Sequence, residues 1–291
     1  MHRLLPFITV FLLLARAPAP AGPLLDPSWG TGGVHRLTAL GGRVDGIGSC
    51  PHADGSVSVI GFRTTTASLV IVRLTAGGQS MGGMYTNLFG ALEPRVPVLV
   101  PTGAGGFWNL MILDTGLIDG ARGLLASLLQ ADADKLTFMH PGLGLLASGW
   151  EIAEPGVAMA RLARLPLPDH PVHHVYEPVG KGDVYFPTTI YDAAALAYGN
   201  RQAGPETWPT MQPALALDGL GGIATYPVTA NDGAGHTRVV VQYEGDGIVD
   251  PHYLYRQIEE VKHQYACFFD TYLRTGTPTV VAPGPLSAPC Q

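Results

Sequence analysis

Residues 69 to 84 read Leu69-Val70-Ile71-Val72-Arg73-Leu74-Thr75-Ala76-Gly77-Gly78-Gln79-Ser80-Met81-Gly82-Gly83-Met84, and the chain continues through Tyr85, Leu88, Phe89 and Leu92. Leu69 to Leu74 is apolar and β-branched, which predicts a strand. Gly82 to Leu92 puts Met84, Tyr85, Leu88, Phe89 and Leu92 on one face at helical spacing. Between them lies Gly78-Gln79-Ser80-Met81-Gly82, a Gly-x-Ser-x-Gly pentapeptide. In that setting it predicts a sharp strand-to-helix turn with the serine at its apex and glycines that let strand and helix pass closely. The start of the helix then favours negative charge beside the hydroxyl.

A serine hydroxyl is a poor nucleophile unless a base takes its proton and a carboxylate orients that base. Downstream, Gly180-Lys181-Gly182-Asp183 follows a predicted strand, Val172 to Val179. Glu244-Gly245-Asp246-Gly247-Ile248-Val249-Asp250-Pro251-His252 follows another, Thr237 to Tyr243. Both candidates sit at carboxyl ends of strands, where open α/β sheets bind ligands. Asp192 and Asp218 compete with Asp183 as the acid. His236 and His263 compete with His252 as the base. Each of Ser80, Asp183 and His252 also has an ordinary reading, as a turn serine, a glycine-flanked turn aspartate and a first-turn helix residue.

From Gly77 onward strands and helices alternate, the pattern of an α/β sheet. Val96 to Val100 is the next predicted strand. Residues 107–165 are apolar and largely helical, with Leu124, Leu125, Leu128 and Leu129 at helix spacing, and read as a cap-like insertion between core strands. A helix is predicted from Thr188 to Tyr198. The terminal helix has Asp250 as cap and Pro251 at its first position. Leu254, Ile258, Val261, Tyr265, Phe268 and Tyr272 lie on one face, and Gly276 is its stop.

The block from Gly78 to Pro278 resembles a bacterial branch of exported α/β-hydrolases. The residues that carry the likeness are Gly78-Gln79-Ser80-Met81-Gly82-Gly83, Thr102-Gly103-Ala104-Gly105-Gly106, Gly182-Asp183-Val184-Tyr185 and Gln242-Tyr243. The terminal helix leading to Thr275-Gly276-Thr277-Pro278 adds to it. The resemblance implies Ser80 as nucleophile, Asp183 as acid, His252 as base and the backbone N–H of Met81 as an oxyanion donor. It implies a partial α/β-hydrolase-like sheet with flanking helices.

The front of the chain is built differently. His2, Arg3, an apolar run from Leu4 to Leu14 and Ala19-Pro20-Ala21 read as an export signal over residues 1–21. The apolar run is too short for a membrane span. Residues 22–76 are β-rich, with candidate strands at Val34–Leu40, Ser56–Phe62 and Ser68–Leu74 and a turn at Asp54-Gly55. Asp26-Pro27-Ser28-Trp29-Gly30-Thr31-Gly32-Gly33-Val34, His52-Ala53-Asp54-Gly55 and Ile71-Val72-Arg73-Leu74 resemble a single bacterial delta repeat, a unit associated with β-propeller-like arrays. These residues leave no room for the strand–helix units that precede the nucleophile in a complete hydrolase. The expectation is an exposed sheet edge beside the serine strand and no second oxyanion donor, unless Gly30 to Gly33 supplies one.

A chain of 291 residues that is 46% hydrophobic can bury a large core, and 14% charged residues exclude a disordered solvating chain. A net charge of −6 gives no basic surface for nucleic acid. Of Cys50, Cys267 and Cys290, the last two are the preferred disulfide, since both lie near the C-terminus. None of the three cysteines has a metal-ligand spacing and no Cys-x-x-Cys motif occurs, so neither a metal nor another cofactor is expected. The expected activity is that of a secreted serine esterase or lipase-like hydrolase acting on a small-molecule or lipid-like ester. The alternative is a non-catalytic secreted β-repeat module.

Overall fold

The computed structural model describes residues 75–290 except 246, together with the backbone of short segments between 48 and 72. The export signal, the Val34–Leu40 strand, the Asp54-Gly55 turn and the Gly30–Gly33 loop lie outside the described residues. The strands are β1 (Gly48–Pro51), β2 (Val57–Ile60), β3 (Arg63–Thr64), β4 (Ala67–Val72) and β5 (Thr75–Gln79), followed by helix α1 (Met81–Leu92) and β6 (Val98–Thr102). Helices α2 (Trp108–Asp114), α3 (Ala121–Leu128), α4 (Pro141–Trp150) and α5 (Pro155–Ala163) then precede β7 (His174–Gly180). After these come α6 (Thr188–Tyr198), β8 (Arg201–Ala203), α7 (Met211–Ala216), β9 (Ile223–Ala224), β10 (Val228–Thr229) and β11 (Arg238–Tyr243). The chain ends with α8 (Leu254–Gln257), α9 (Glu259–Thr275) and β12 (Thr279–Val280).

The main sheet has eight strands in the order β3-β4-β5-β6-β7-β11-β8-β9. The six from β5 to β9 run parallel, and β4 pairs antiparallel with β5. This is an α/β architecture, and its centre is covered on both faces. On β6, Val98 and Val100 pack with Phe268 of α9, whereas Leu99 packs against Ala91 of α1, Leu162 of α5 and Tyr198 of α6. Strands covered on both sides need continuous apolar runs, which Val98–Val100 and Val239–Val241 provide. β10 and β12 form a separate two-stranded sheet, as do β1 and β2.

Four sequence expectations change. The strand that delivers Ser80 is Thr75–Gln79, not Leu69–Leu74. Leu69 to Val72 belong to β4, which turns back and pairs antiparallel beside it, Ile71 opposite Ala76. Thr75-Ala76-Gly77-Gly78-Gln79 lacks the composition of a strand because its room is limited. A Cβ on Gly78 would sit 2.3 Å from the carbonyl oxygen of Gly82. Second, the edge expected beside the serine strand is occupied by β4 and β3. Third, β8 and β9, unforeseen, extend the sheet past β11; they are too short to carry a pattern.

The fourth change is in the terminal helix, which is broken. A short 3-10 turn, Pro251–Tyr253, and α8 end at Ile258, whose backbone is extended, before α9 begins. The Gln257 side chain folds back to donate to the carbonyls of Asp250 and Tyr253 and to accept from the N–H of Val249. It satisfies the loop, and Glu259 and Glu260 suit the new helix start.

The 107–165 insertion is helical, as four short helices, and joins β6 to β7. Residues 95–275 alternate parallel strands with helices, and no four-stranded antiparallel blade occurs among the described residues there. No helix among the described residues is long and apolar enough to cross a membrane.

Candidate active site

Ser80 stands between β5 and α1 with φ 56° and ψ −125°, a positive-φ conformation that a non-glycine residue adopts at a cost. Its N–H donates to the Thr102 carbonyl at 2.9 Å, and its own carbonyl accepts from Met84 at 3.0 Å. The hydroxyl is not used as a helix cap, so it is not serving the usual purpose of a serine at that position. Met81 is the first residue of α1, where a backbone N–H has no intrahelical acceptor.

Asp183 and His252 are brought together from 69 positions apart. Because β7 and β11 are neighbours, the loops leaving their carboxyl ends lie side by side. His252 Nδ1 is 2.8 Å from Asp183 Oδ2, with both side chains buried. The other carboxylate oxygen, Oδ1, accepts from the N–H groups of Tyr185 (2.8 Å) and Phe186 (3.1 Å). Tyr191 on α6 donates its hydroxyl to Oδ2 at 2.5 Å. Four donors therefore hold the carboxylate in one orientation.

The imidazole is equally constrained. Tyr185 stacks on its face, with ring centroids 4.2 Å apart and planes 18° apart. Phe186 packs at 5.6 Å and Tyr253 edge-on at 4.9 Å. Asp250 accepts from the His252 N–H at 2.9 Å. Nε2, the nitrogen opposite the carboxylate, is buried without a hydrogen-bond partner among the described residues. A bond from Ser80 to Nε2 is thus not formed in this structure.

One contact nonetheless ties the serine turn to the histidine loop. Gln79, the residue before Ser80, donates from Nε2 to the His252 carbonyl at 2.5 Å, while its Oε1 accepts from Thr102 Oγ1 at 2.7 Å. The glycine-rich segment after β6 makes this approach feasible. A Cβ on Gly103 would lie 2.7 Å from Gln79 Nε2 and 2.9 Å from the His252 carbonyl oxygen, and one on Gly105 would enter the Phe186 ring at 2.0 Å.

The competing candidates are engaged elsewhere. Asp192 accepts from the Trp208 indole at 2.8 Å, and Asp218 pairs with Arg164 at 2.8 Å. His236 pairs with Asp232 at 2.9 Å, on a segment before β11. His263 is buried in α9, near the Cys267–Cys290 disulfide, which is formed. An open groove of about 290 Å³ beyond β11, lined in part by Glu206, Gln242, Glu244 and Glu260, contains none of Ser80, Asp183 and His252.

Sequence reading did not single out Gln79, Tyr185 or Tyr191. Gln79 and Tyr185 lay inside the quoted motifs without a role. Tyr191 had a signal only in hindsight, as an uncharged hydroxyl on the helix that follows Asp183. Comparison of the chain with protein-family models, curated proteins and solved structures gave no match, so the site is read from its own geometry.

Proposed function

We propose that the chain is a serine hydrolase of the α/β-hydrolase type that cleaves carboxylic esters, with Ser80, His252 and Asp183 as its catalytic residues. The observation that carries this reading is the buried Asp183–His252 pair, with Nε2 left free, joined through Gln79 to a strained serine whose hydroxyl caps nothing. In the proposed reaction His252 Nε2 accepts the Ser80 hydroxyl proton as Oγ attacks the acyl carbon. The tetrahedral oxyanion forms beside the N–H of Met81 at the start of α1. Collapse expels the alcohol, which takes its proton from His252. Water then hydrolyses the acyl-enzyme by the same two proton transfers. The Ser80–His252 contact that this needs belongs to the substrate complex, where such bonds commonly tighten.

The substrate class follows from what surrounds the turn. Met81, Tyr85 and Val184, next to the serine and the acid, are more than half exposed, and Leu117 and Ile118 of the insertion are also exposed. An ester with an apolar acyl chain suits that surface. Residues 1–21, read as an export signal, would place the enzyme outside the cytoplasm, where a disulfide is stable.

A fluorophosphonate probe tests the proposal. It should label the wild type and leave Ser80→Ala unlabelled. Folded wild-type protein that takes up no label would remove the hydrolase reading.

A further inference from the structure

Helix α9 carries a second constellation. His263 and Cys267 are four residues apart, hence on one face of the helix, and both are buried. The irregular segment after β12 brings Cys290 to the same place, where it is bonded to Cys267. The ligand-capable atoms of His263, Cys267 and Cys290 all lie within 4.8 Å of one another. His263 is only 3% exposed, yet neither of its ring nitrogens has a hydrogen-bond partner among the described residues. Buried polar groups are nearly always bonded, so an imidazole with both nitrogens idle beside two sulfurs requires an explanation.

We propose that reduction of the Cys267–Cys290 bridge opens a binding site for Zn²⁺ formed by His263, Cys267 and Cys290. Two thiolates and an imidazole are a zinc donor set, and water would complete the tetrahedron. Sulfurs joined to each other are poor ligands, so the oxidised protein has the site closed. In a tetrahedral zinc site two thiolate sulfurs sit roughly 3.8 Å apart. Cys290 lies in a segment without regular structure, which can accommodate that separation.

The rest of the tail stays docked without the bridge. Gln264 Nε2 donates to the Val281 carbonyl at 2.7 Å, and β12 remains paired with β10. Gly284 lies against the His263 ring, where a Cβ would be 3.4 Å from Nδ1.

The redox step balances with a dithiol. Two electrons and two protons pass to the sulfurs of Cys267 and Cys290, and the dithiol becomes a disulfide. Zn²⁺ then displaces both thiol protons. A chain made in a thiol-rich compartment and exported afterwards would be able to load metal before oxidation and not after it. The proposal does not rest on chemistry at Ser80.

The experiment uses full-length protein carrying Cys50→Ser, so that only Cys267 and Cys290 can supply thiols. A water-soluble phosphine is the reductant, because a dithiol would compete for metal. The phosphine takes oxygen from water to become its oxide, and the two water protons end on the thiols. After anaerobic desalting, Co²⁺ is titrated in as a spectroscopic probe and then displaced with Zn²⁺. One Co²⁺ per chain, with thiolate-to-cobalt charge-transfer absorption, should appear in the reduced protein and not in the oxidised one. His263→Ala should weaken binding by at least about 100-fold.

The proposal is overturned by reduced protein without charge-transfer absorption, or by equal binding in oxidised and reduced samples. It is also overturned by equal affinity in a His263→Ala variant whose oxidised circular dichroism is native. If that variant does not fold, the wild-type comparison of oxidised with reduced protein decides alone. A reduced chain that loses its native circular dichroism and does not regain it with Zn²⁺ also overturns the proposal.

Discussion

The side-chain amide of Gln79 donates to the backbone carbonyl of His252 across 173 positions of sequence, at 2.5 Å. The residue before the candidate nucleophile thereby sets the position of the candidate base. Removing that donor should let the histidine loop drift without unfolding the sheet. Gln79→Ala and Gln79→Glu are both expected to lower kcat by about 10- to 100-fold, with KM changed far less. Steady-state kinetics on a chromogenic ester, beside circular dichroism, reads this out. A variant as active as wild type would show the contact to be incidental.

Asp183 and Tyr191 should separate by magnitude. Asp183→Asn keeps the shape but presents an amide to Nδ1 and favours the wrong imidazole tautomer, so kcat should fall roughly 10³- to 10⁴-fold. Tyr191→Phe removes one of four donors to the carboxylate and leaves the others, and should cost no more than about tenfold. If Tyr191→Phe were the more damaging of the two, Asp183 would not be the orienting acid.

Gly78 tests the turn itself. Its missing side chain faces the Gly82 backbone, which cannot rotate away as a side chain would. Gly78→Ala should cost about 3 kcal/mol of stability. Gly144, whose added Cβ meets nothing within 4 Å, provides the control: Gly144→Ala should be neutral or slightly stabilising. Thermal denaturation of the two variants gives the comparison.

Buried Glu177 on β7 predicts a pH dependence. Burial pushes its carboxyl up to about 8, partly offset by the hydrogen bond from Asn200. The folded state therefore holds a proton that the unfolded chain releases above pH 4.5, so this contribution is complete below pH 4.5 and lost as pH rises towards 8. By pH 7 the loss is on the order of 3 kcal/mol. Glu177→Gln should abolish that slope in denaturant titrations, and its stability should exceed wild type above pH 8. His173 works in the opposite sense. Burial lowers it from 6.5 to about 4, so its contribution is complete above pH 6.5 and lost as pH falls towards 4.

The α/β class and most elements past residue 80 were legible because periodicity and strand-end placement report burial. The helix expected from about Thr188 to Tyr198 spans Thr188–Tyr198. Thr75–Gln79 was not legible, because close passage of α1 imposes glycine where strand composition would demand valine. Asp183 and His252 were read as partners from chain order, strand-end placement and the family resemblance; what brings them together is the adjacency of β7 and β11, which is non-local. Gln79 acts through a partner 173 positions away, which no local pattern announces, and Tyr191, eight positions from Asp183, reaches it only through the fold of the loop between them.

The antiparallel pairing of β4 with β5 also bears on the order in which the molecule assembles. Ile71 and Ala76 meet across five positions, and β5 closes on β6 soon after, whereas Arg238 reaches Val175 across 63. Short closures are fast and long ones slow. The serine turn should therefore be native-like early, while carboxylate and imidazole arrive late and together. Pulse-labelled hydrogen exchange would see Ala76–Gln79 amides protected ahead of Val239–Val241; simultaneous protection would refute this sequence of events.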